Sequence, residues 1–277
     1  MTDIYNQIFE YRGALPGPTL TILAGVHGNE IPGIRALEKL ISSLSGIKRG
    51  KLFLLFGNQR AIMAKVRETK QNLNRMFRDD LPEDIRASYE FERATLIRRV
   101  LDQSDICLDL HASNSSISPV FAITEPSGFE LAKQLPVAKI VSNIDPFHPG
   151  STDGYMAGRG KIGICVECGF MEDPQAIERA DRTIAEALSA LDMIDSFPDF
   201  RPPSPSREIF RVSGIYKSRS AQFVLEQTYL DFQLIPAGTI IGTDAGERVS
   251  FEKDFYILFA RNSCKAEQEC FLRVEKI

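Results

Sequence analysis

Two of the chain's three histidines stand where short apolar runs end, and each has a carboxylate close by in sequence. His27 lies in AGVHGNE, directly after the β-branched run TLTILA, and Glu30 follows three residues later. His111 closes DICLDLH, with Asp109 two residues before it and therefore on the same side of a strand. Two imidazoles and one carboxylate, from His27, Glu30 and His111, would hold a zinc ion and leave a fourth position open for water, the arrangement a hydrolytic site needs. Asp109 would fix the tautomer of His111. The competing readings are a loop histidine with Glu30 capping the next helix, and Asp109 in a salt bridge.

Glu167 interrupts the apolar run GICVECG. An ionised carboxylate there is costly unless a metal, a cation or a reacting water justifies it. It is the candidate general base, taking a proton from water and delivering it to a leaving nitrogen; pairing with a buried arginine is the alternative. The segment 57–77, GNQRAIMAKVRETKQNLNRMF, gathers Arg60, Arg67 and Arg75 with Asn72 and Asn74 in a loop-like stretch. The planar guanidinium suits a carboxylate or a developing oxyanion, although arginine and asparagine in a loop are often only solvated. Cys165 and Cys168 form a lone CxxC, read as two core side chains on a strand. His148, in DPFHPG, reads as structural or surface.

The elements that must position these groups follow from periodicity. TLTILAG, KLFLLFGN, DICLDLH, PVFAIT, AKIVSN and GICVECG are strand-like, while IPGIRALEKLISSL, SYEFERATLIRRVLDQ and residues 173–193 carry apolar positions at helical spacing. The helix over 88–103 shows a polar face in Glu90, Glu92, Arg93 and Arg99. Strands alternating with helices predict an α/β domain with a mainly parallel sheet covered on both faces, its site beyond the carboxyl ends of the strands. This domain is expected over 1–198. The proline-rich stretch 199–206 reads as a linker, and 207–277 as a small all-β domain of short strands between turn signals.

Composition narrows the function classes. With 277 residues, 43% of them hydrophobic, the chain is long enough to bury a substantial core. A net charge of −4 disfavours nucleic acid or an anionic membrane as partner, and no apolar run is long enough to span a bilayer. Five scattered cysteines suggest reduced thiols, so a soluble cytoplasmic protein is expected, with a small molecule as its partner and a homo-oligomer compatible with the sequence.

In this order, HGNE, NQRA with VRETKQNLNRMF, YEFERA, LDLHAS and VECG resemble the succinylglutamate desuccinylase and aspartoacylase family, a branch of the zinc carboxypeptidase-like hydrolases. The resemblance covers about residues 18–190. It implies a three-layer α/β/α domain with a mixed sheet and one zinc ion per chain on His27, Glu30 and His111, with Glu167 as base. Arg67 would polarise the scissile carbonyl and stabilise its oxyanion, and Asn74 and Arg75 would bind a substrate carboxylate. The implied activity is zinc-dependent cleavage of the amide bond of an N-acyl amino acid or similar small carboxylate-bearing substrate. A carboxypeptidase-type peptide hydrolase and a catalytically silent metal- or ligand-binding protein are the rivals. One departure bears on substrate: the arginine such enzymes carry ten residues before the catalytic glutamate is Ala157 here. Arg159 from a shifted position, or Tyr155 and Asp153 toward a different group, are the proposed substitutes, with Tyr155 expected at the substrate.

Overall fold

The computed structural model describes residues 4–195 and 207–277, so the expected linker at 199–206 lies outside the described residues. The chain divides into two compact units, Met1–Ile140 with His148–Arg207, and Val141–Phe147 with Glu208–Ile277. In chain order the first unit holds β1 (Ile8–Arg12), β2 (Leu15–Ala24), α1 (Ile31–Ser43), β3 (Arg49–Phe56), α2 (Gln59–Ala64), α3 (Glu83–Arg86), α4 (Tyr89–Leu101), β4 (Ile106–Ser113), β5 (Phe121–Ile123) and α5 (Phe129–Ala132). After β6 (Lys139–Ser142), which straddles the division, α6 (Thr152–Ala157), β7 (Ile162–Phe170) and α7 (Gln175–Ala190) complete it.

Within this unit the strands lie in the order β1-β3-β2-β4-β7-β5. The four middle strands are parallel, whereas β1 and β5 run antiparallel to their neighbours. The sheet is therefore mixed, as the family resemblance implied, and the mainly parallel reading holds only for its middle. The reason at β1 is chain length: two residues separate β1 from β2, and a parallel crossover needs a dozen or more.

Alternation along the parallel strands sorts two cores. Ile22, Leu52, Leu54, Leu108, Leu110 and Val166 turn to one face, against Ile34 and Leu37 of α1 and Ile184 and Leu188 of α7. Leu23, Phe53, Leu55 and Cys107 turn to the other, against Ala94, Ile97 and Val100 of α4. Helices on both faces make the three layers, and they explain why LFLLF, residues 52–56, is an unbroken apolar run. Each leucine fully buried here contributes roughly 1.5–3 kcal/mol.

The polar side of α4 departs from expectation. Glu90 and Arg93 are buried, not solvated. Arg93 donates from Nε to the Gly57 carbonyl at 2.7 Å and from Nη2 to that of Phe56 at 2.7 Å, closing the carboxyl end of β3. Cys165 and Cys168, three apart on β7, are both buried free thiols, and the strand period turns them to opposite faces. No helix among the described residues is long and apolar enough to cross a membrane.

In the second unit, β8 (Glu208–Lys217), β9 (Phe223–Leu225), β10 (Gln233–Ile235), β11 (Gly242–Asp244), β12 (Glu247–Val249), β13 (Phe255–Leu258) and β14 (Glu269–Lys276) are antiparallel strands. They pair as β8-β14-β13-β10 and β12-β11-β9. An aromatic core of Phe223, Phe255 and Phe271 fills it. Beside that core, the fully buried carboxylate of Asp244 accepts from Tyr216 Oη at 2.8 Å, Arg219 N at 2.7 Å and Ser220 Oγ at 2.6 Å. Burial alone would raise its pKa, but these donors outweigh it and hold the carboxyl below its ordinary value. Its stabilisation is thus complete above the unfolded carboxylate range and is lost as pH falls through the lower folded value. Asp244→Asn should cost roughly 1–3 kcal/mol at neutral pH. Thermal melts of both proteins should converge as pH drops below the ordinary carboxylate range, and a gap that persists there would contradict this account.

Candidate active site

The loop after β2 turns back on itself at His27 and delivers the chain into α1, with Glu30 at the N-cap position and Pro32 in the first turn. Glu30 makes no side-chain cap bond, so its carboxylate is not spent on the helix. It points into the sheet's carboxyl edge instead. Oε1 lies 2.7 Å from His27 Nδ1, and Oε2 lies 3.0 Å from His111 Nδ1 near the end of β4. Oε2 also accepts from Ala112 N at 3.1 Å. The three residues are only 2–4% exposed, and one potential ligand atom from each lies within 4.8 Å of the others. Two glycines allow this closeness. A Cβ on Gly33 would meet Leu110 Cβ at 2.8 Å as α1 crosses β4, and a Cβ on Gly28 would meet the backbone carbon of Ala61 at 2.1 Å.

The far nitrogens also face polar neighbours. Asn72 Oδ1 already accepts from Asn74 N at 2.9 Å, so its 3.1 Å contact with His27 Nε2 assigns the ring proton to Nε2. The Nδ1 of a neutral His27 then turns its lone pair toward a carboxylate oxygen, and two lone-pair atoms so close call for a cation between them. His111 Nε2 lies 3.1 Å from Asp109 Oδ2, which takes a hydrogen bond from Thr152 Oγ1 at 2.6 Å. Burial lowers the His27 pKa. Burial would raise that of Glu30, but His27 and His111 outweigh it and hold the carboxyl well below its usual range. Burial would also lower His111, yet Asp109, Cys165 and Glu30 together lift it well above its ordinary value. The site is thus built to keep an anion and to attract positive charge. Two Nδ1 atoms and a carboxylate are a donor set that suits zinc.

Arg67 joins this group, with Nη1 3.1 Å from Glu30 Oε1. Glu167 stands beside His111 in the β4–β7 register, on the same face, and their ligand atoms with that of Cys165 lie within 4.8 Å of one another. Asn74 and Arg75 occupy a short 3-10 turn, Leu73–Arg75, pinned by the buried Leu73 and capped by Asn72. Arg75 donates from Nη1 to the Asn74 carbonyl at 2.6 Å, and its Nη2 lies 3.2 Å from His148 Nδ1. His148, unremarkable in sequence, therefore sits against the arginine of this segment; only its rarity could have drawn attention to it.

Tyr155 does not join the others. It is packed in the core of α6 with its hydroxyl donated to Asp102 at 2.7 Å, just beyond the end of α4 and at the opposite end of β4 from His111. The expectation that it meets substrate is corrected accordingly. Arg159 lies there too, its guanidinium 3.5 Å above the Tyr155 ring and its Nε 3.2 Å from Asp102 Oδ1. Asp153 is buried with its backbone against Gly163, where β7 begins.

Residues 16–192 match the family model described as the succinylglutamate desuccinylase/aspartoacylase catalytic domain. The chain belongs to this family. Among its curated relatives, the probable aspartoacylase of Trichodesmium erythraeum (strain IMS101) is 26% identical over 208 residues, 69% of each chain. The N-acyl-aromatic-L-amino acid amidohydrolase (carboxylate-forming) of Xenopus laevis is 27% identical over 202 residues, 66% of this chain and 65% of its own. The crystal structure of succinylglutamate desuccinylase from Vibrio cholerae shares the fold, with a TM-score of 0.81 at 20% identity, covering 97% of this chain and 85% of that one. The family's named relatives are amidohydrolases.

The contact at Gly28 yields a direct test of how tightly the loop that carries His27 is held. Gly28→Ala should force the loop and α2 apart and lower stability by more than about 2 kcal/mol, because the clash is with backbone that cannot rotate aside. A melting temperature unchanged from wild type would show that the loop has room the structure does not provide.

Proposed function

We propose that the protein is a zinc-dependent amidohydrolase that cleaves the amide bond of an N-acyl amino acid. The observation that carries this reading is the convergence of His27 Nδ1, His111 Nδ1 and both oxygens of Glu30, all buried, with Arg67 and Glu167 at the same edge of the sheet. His27, Glu30 and His111 would hold the ion, which when bound supplies Lewis acidity toward water and the scissile carbonyl. Glu167 takes a proton from water as its oxygen bonds to the carbonyl carbon. Arg67 offsets the negative charge that develops on the carbonyl oxygen. As the carbon–nitrogen bond breaks, Glu167 returns the proton to the departing nitrogen, leaving a carboxylic acid and a free amine. Asn74 and Arg75 take the carboxylate of the amino-acid portion. The free, mostly buried thiols fit a reducing cytoplasm.

Substrate preference follows from the residues before Glu167. Position 157 is alanine, and Arg159 is engaged by Tyr155 and Asp102. A second carboxylate on the substrate lacks the arginine it would need, so monocarboxylate N-acyl amino acids should outrun N-acetylaspartate and N-succinylglutamate, and Arg159→Ala should leave this ranking unchanged. A dicarboxylate ranked first, or a ranking inverted by that variant, would overturn the preference.

The direct test is elemental analysis beside turnover. Wild type should carry about one zinc per chain, and His111→Ala should lose it. Glu167→Gln should keep the metal and lose on the order of 10²–10⁴ in kcat, and Arg75→Ala should mainly raise KM. Absence of metal from wild type, or full activity in Glu167→Gln, would leave a ligand-binding protein as the better description.

A further inference from the structure

The arginine at the heart of the site rides on a weak element. Residues 63–70 are all exposed, and from Lys65 to Asn72 the chain has no regular structure. Such a segment resists fixing by roughly 1–2 kcal/mol of backbone entropy per residue, and an arginine on it would sample many positions without anchors. On the near side, Val66 N donates to the Ala61 carbonyl at 3.0 Å, and the Arg67 carbonyl accepts from Gly28 N at 3.1 Å. On the far side, Thr69 N at 3.1 Å, Lys70 N at 3.2 Å and the Thr69 hydroxyl all donate to one atom, Glu90 Oε1. Asn58 Nδ2 approaches the same oxygen at 3.3 Å, while its Oδ1 caps α2.

We propose that Glu90 is the positioning residue for Arg67: its buried carboxylate clamps the loop immediately after the arginine and so aims the guanidinium at the site. The inference rests on the amidohydrolase reading for what Arg67 does there. Glu90 is fully buried in the first turn of α4, behind the Ser88 cap, where the helix dipole favours an anion. Its second oxygen, Oε2, is buried and has no hydrogen-bond partner among the described residues. The carboxylate's hydrogen bonds thus gather on Oε1, three from Thr69 and Lys70 in the loop and one from Asn58. Burial would raise its pKa, but the Thr69 hydroxyl and the Lys70 and Thr69 amides prevail and hold it below the ordinary value, so it is ionised at neutral pH. Charge-assisted bonds of this kind are about twice as strong as neutral ones. Glutamine keeps the shape and one acceptor but removes the charge.

The experiment compares wild type, Glu90→Gln, Thr69→Val, Arg67→Ala and the double variant Glu90→Gln/Arg67→Ala. It measures metal content, kcat and KM on an N-acetyl amino acid, and hydrogen exchange over 65–72. Glu90→Gln should keep its metal, lose about 10- to 100-fold in kcat with KM changed by no more than about twofold, and exchange faster over 65–72. Thr69→Val, which leaves α4 untouched, should show the same pattern more weakly and decides the matter if Glu90→Gln does not fold. In the Arg67→Ala background, adding Glu90→Gln should cost no more than about twofold, because the clamp has nothing left to aim. Unchanged exchange over 65–72, or kcat losses that multiply in the double variant, would overturn the assignment. A wild type without amide hydrolysis or metal would refute the proposed function before any variant is compared, and the exchange data would then decide alone whether Glu90 holds the loop.

Discussion

A carboxylate removed from water beside two imidazoles is unfavourable unless positive charge is close, and Glu30 is in that position. Much of what surrounds it can be understood as meeting that demand. The two histidines face it with Nδ1, and Arg67 reaches over it. Asn72 bonds the far nitrogen of His27, and Asp109, itself bonded by Thr152, lies close to that of His111. The need for cations at one buried point links the geometry to the chemistry we propose. A site that only stabilised the fold would be better served by apolar residues of similar volume.

The parallel centre of the sheet makes such a point available. Strands β2, β4 and β7 all end on one side, so the loop after β2, His111 near the end of β4 and Glu167 near the end of β7 arrive together although they are far apart in sequence. The register sets the fine placement: His111 opposite Glu167 and Asp109 opposite Cys165 give a polar row on one face. The next residue of each strand, Leu110 and Val166, belongs to the opposite core. A one-residue slip would exchange the two, which is how an apolar core protects the position of a charged site.

How much of this could be read beforehand depended on whether a residue's partner is near in sequence. His27, Glu30 and His111 were legible because a polar residue at the end of an apolar run is conspicuous and all three histidines can be inspected singly. The central strands were legible as apolar runs for the same local reason, and their parallel direction from the helices between them. Glu90 and Arg93 misled, since charges on a helix read as its wet face; their partners, the 69–70 amides and the carbonyls of Phe56 and Gly57, are set by tertiary folding. Tyr155 misled similarly: position within a familiar segment suggested the site, whereas its hydroxyl is claimed by Asp102, just beyond the end of α4. The antiparallel course of β1 was hidden because strand direction follows from connection length, not from apolar pattern.

The working parts differ in how they are held, and the difference has a consequence. Glu30, His111 and Glu167 sit at a helix start or on central strands, where packing leaves little freedom. Arg67, Asn74 and Arg75 come from an irregular segment and a single 3-10 turn. In the proposed chemistry, the first set stays in place through the cycle, whereas the second must meet a substrate that enters and products that leave. A loop with an exposed arginine can admit both, provided it returns to one position. A buried anion behind it is well suited to that task, because its hold depends on backbone amides and a hydroxyl rather than on contact with the substrate. Precision at the rigid edge and access at the mouth can then be tuned separately, the first by the core and the second by the few bonds that end on Glu90.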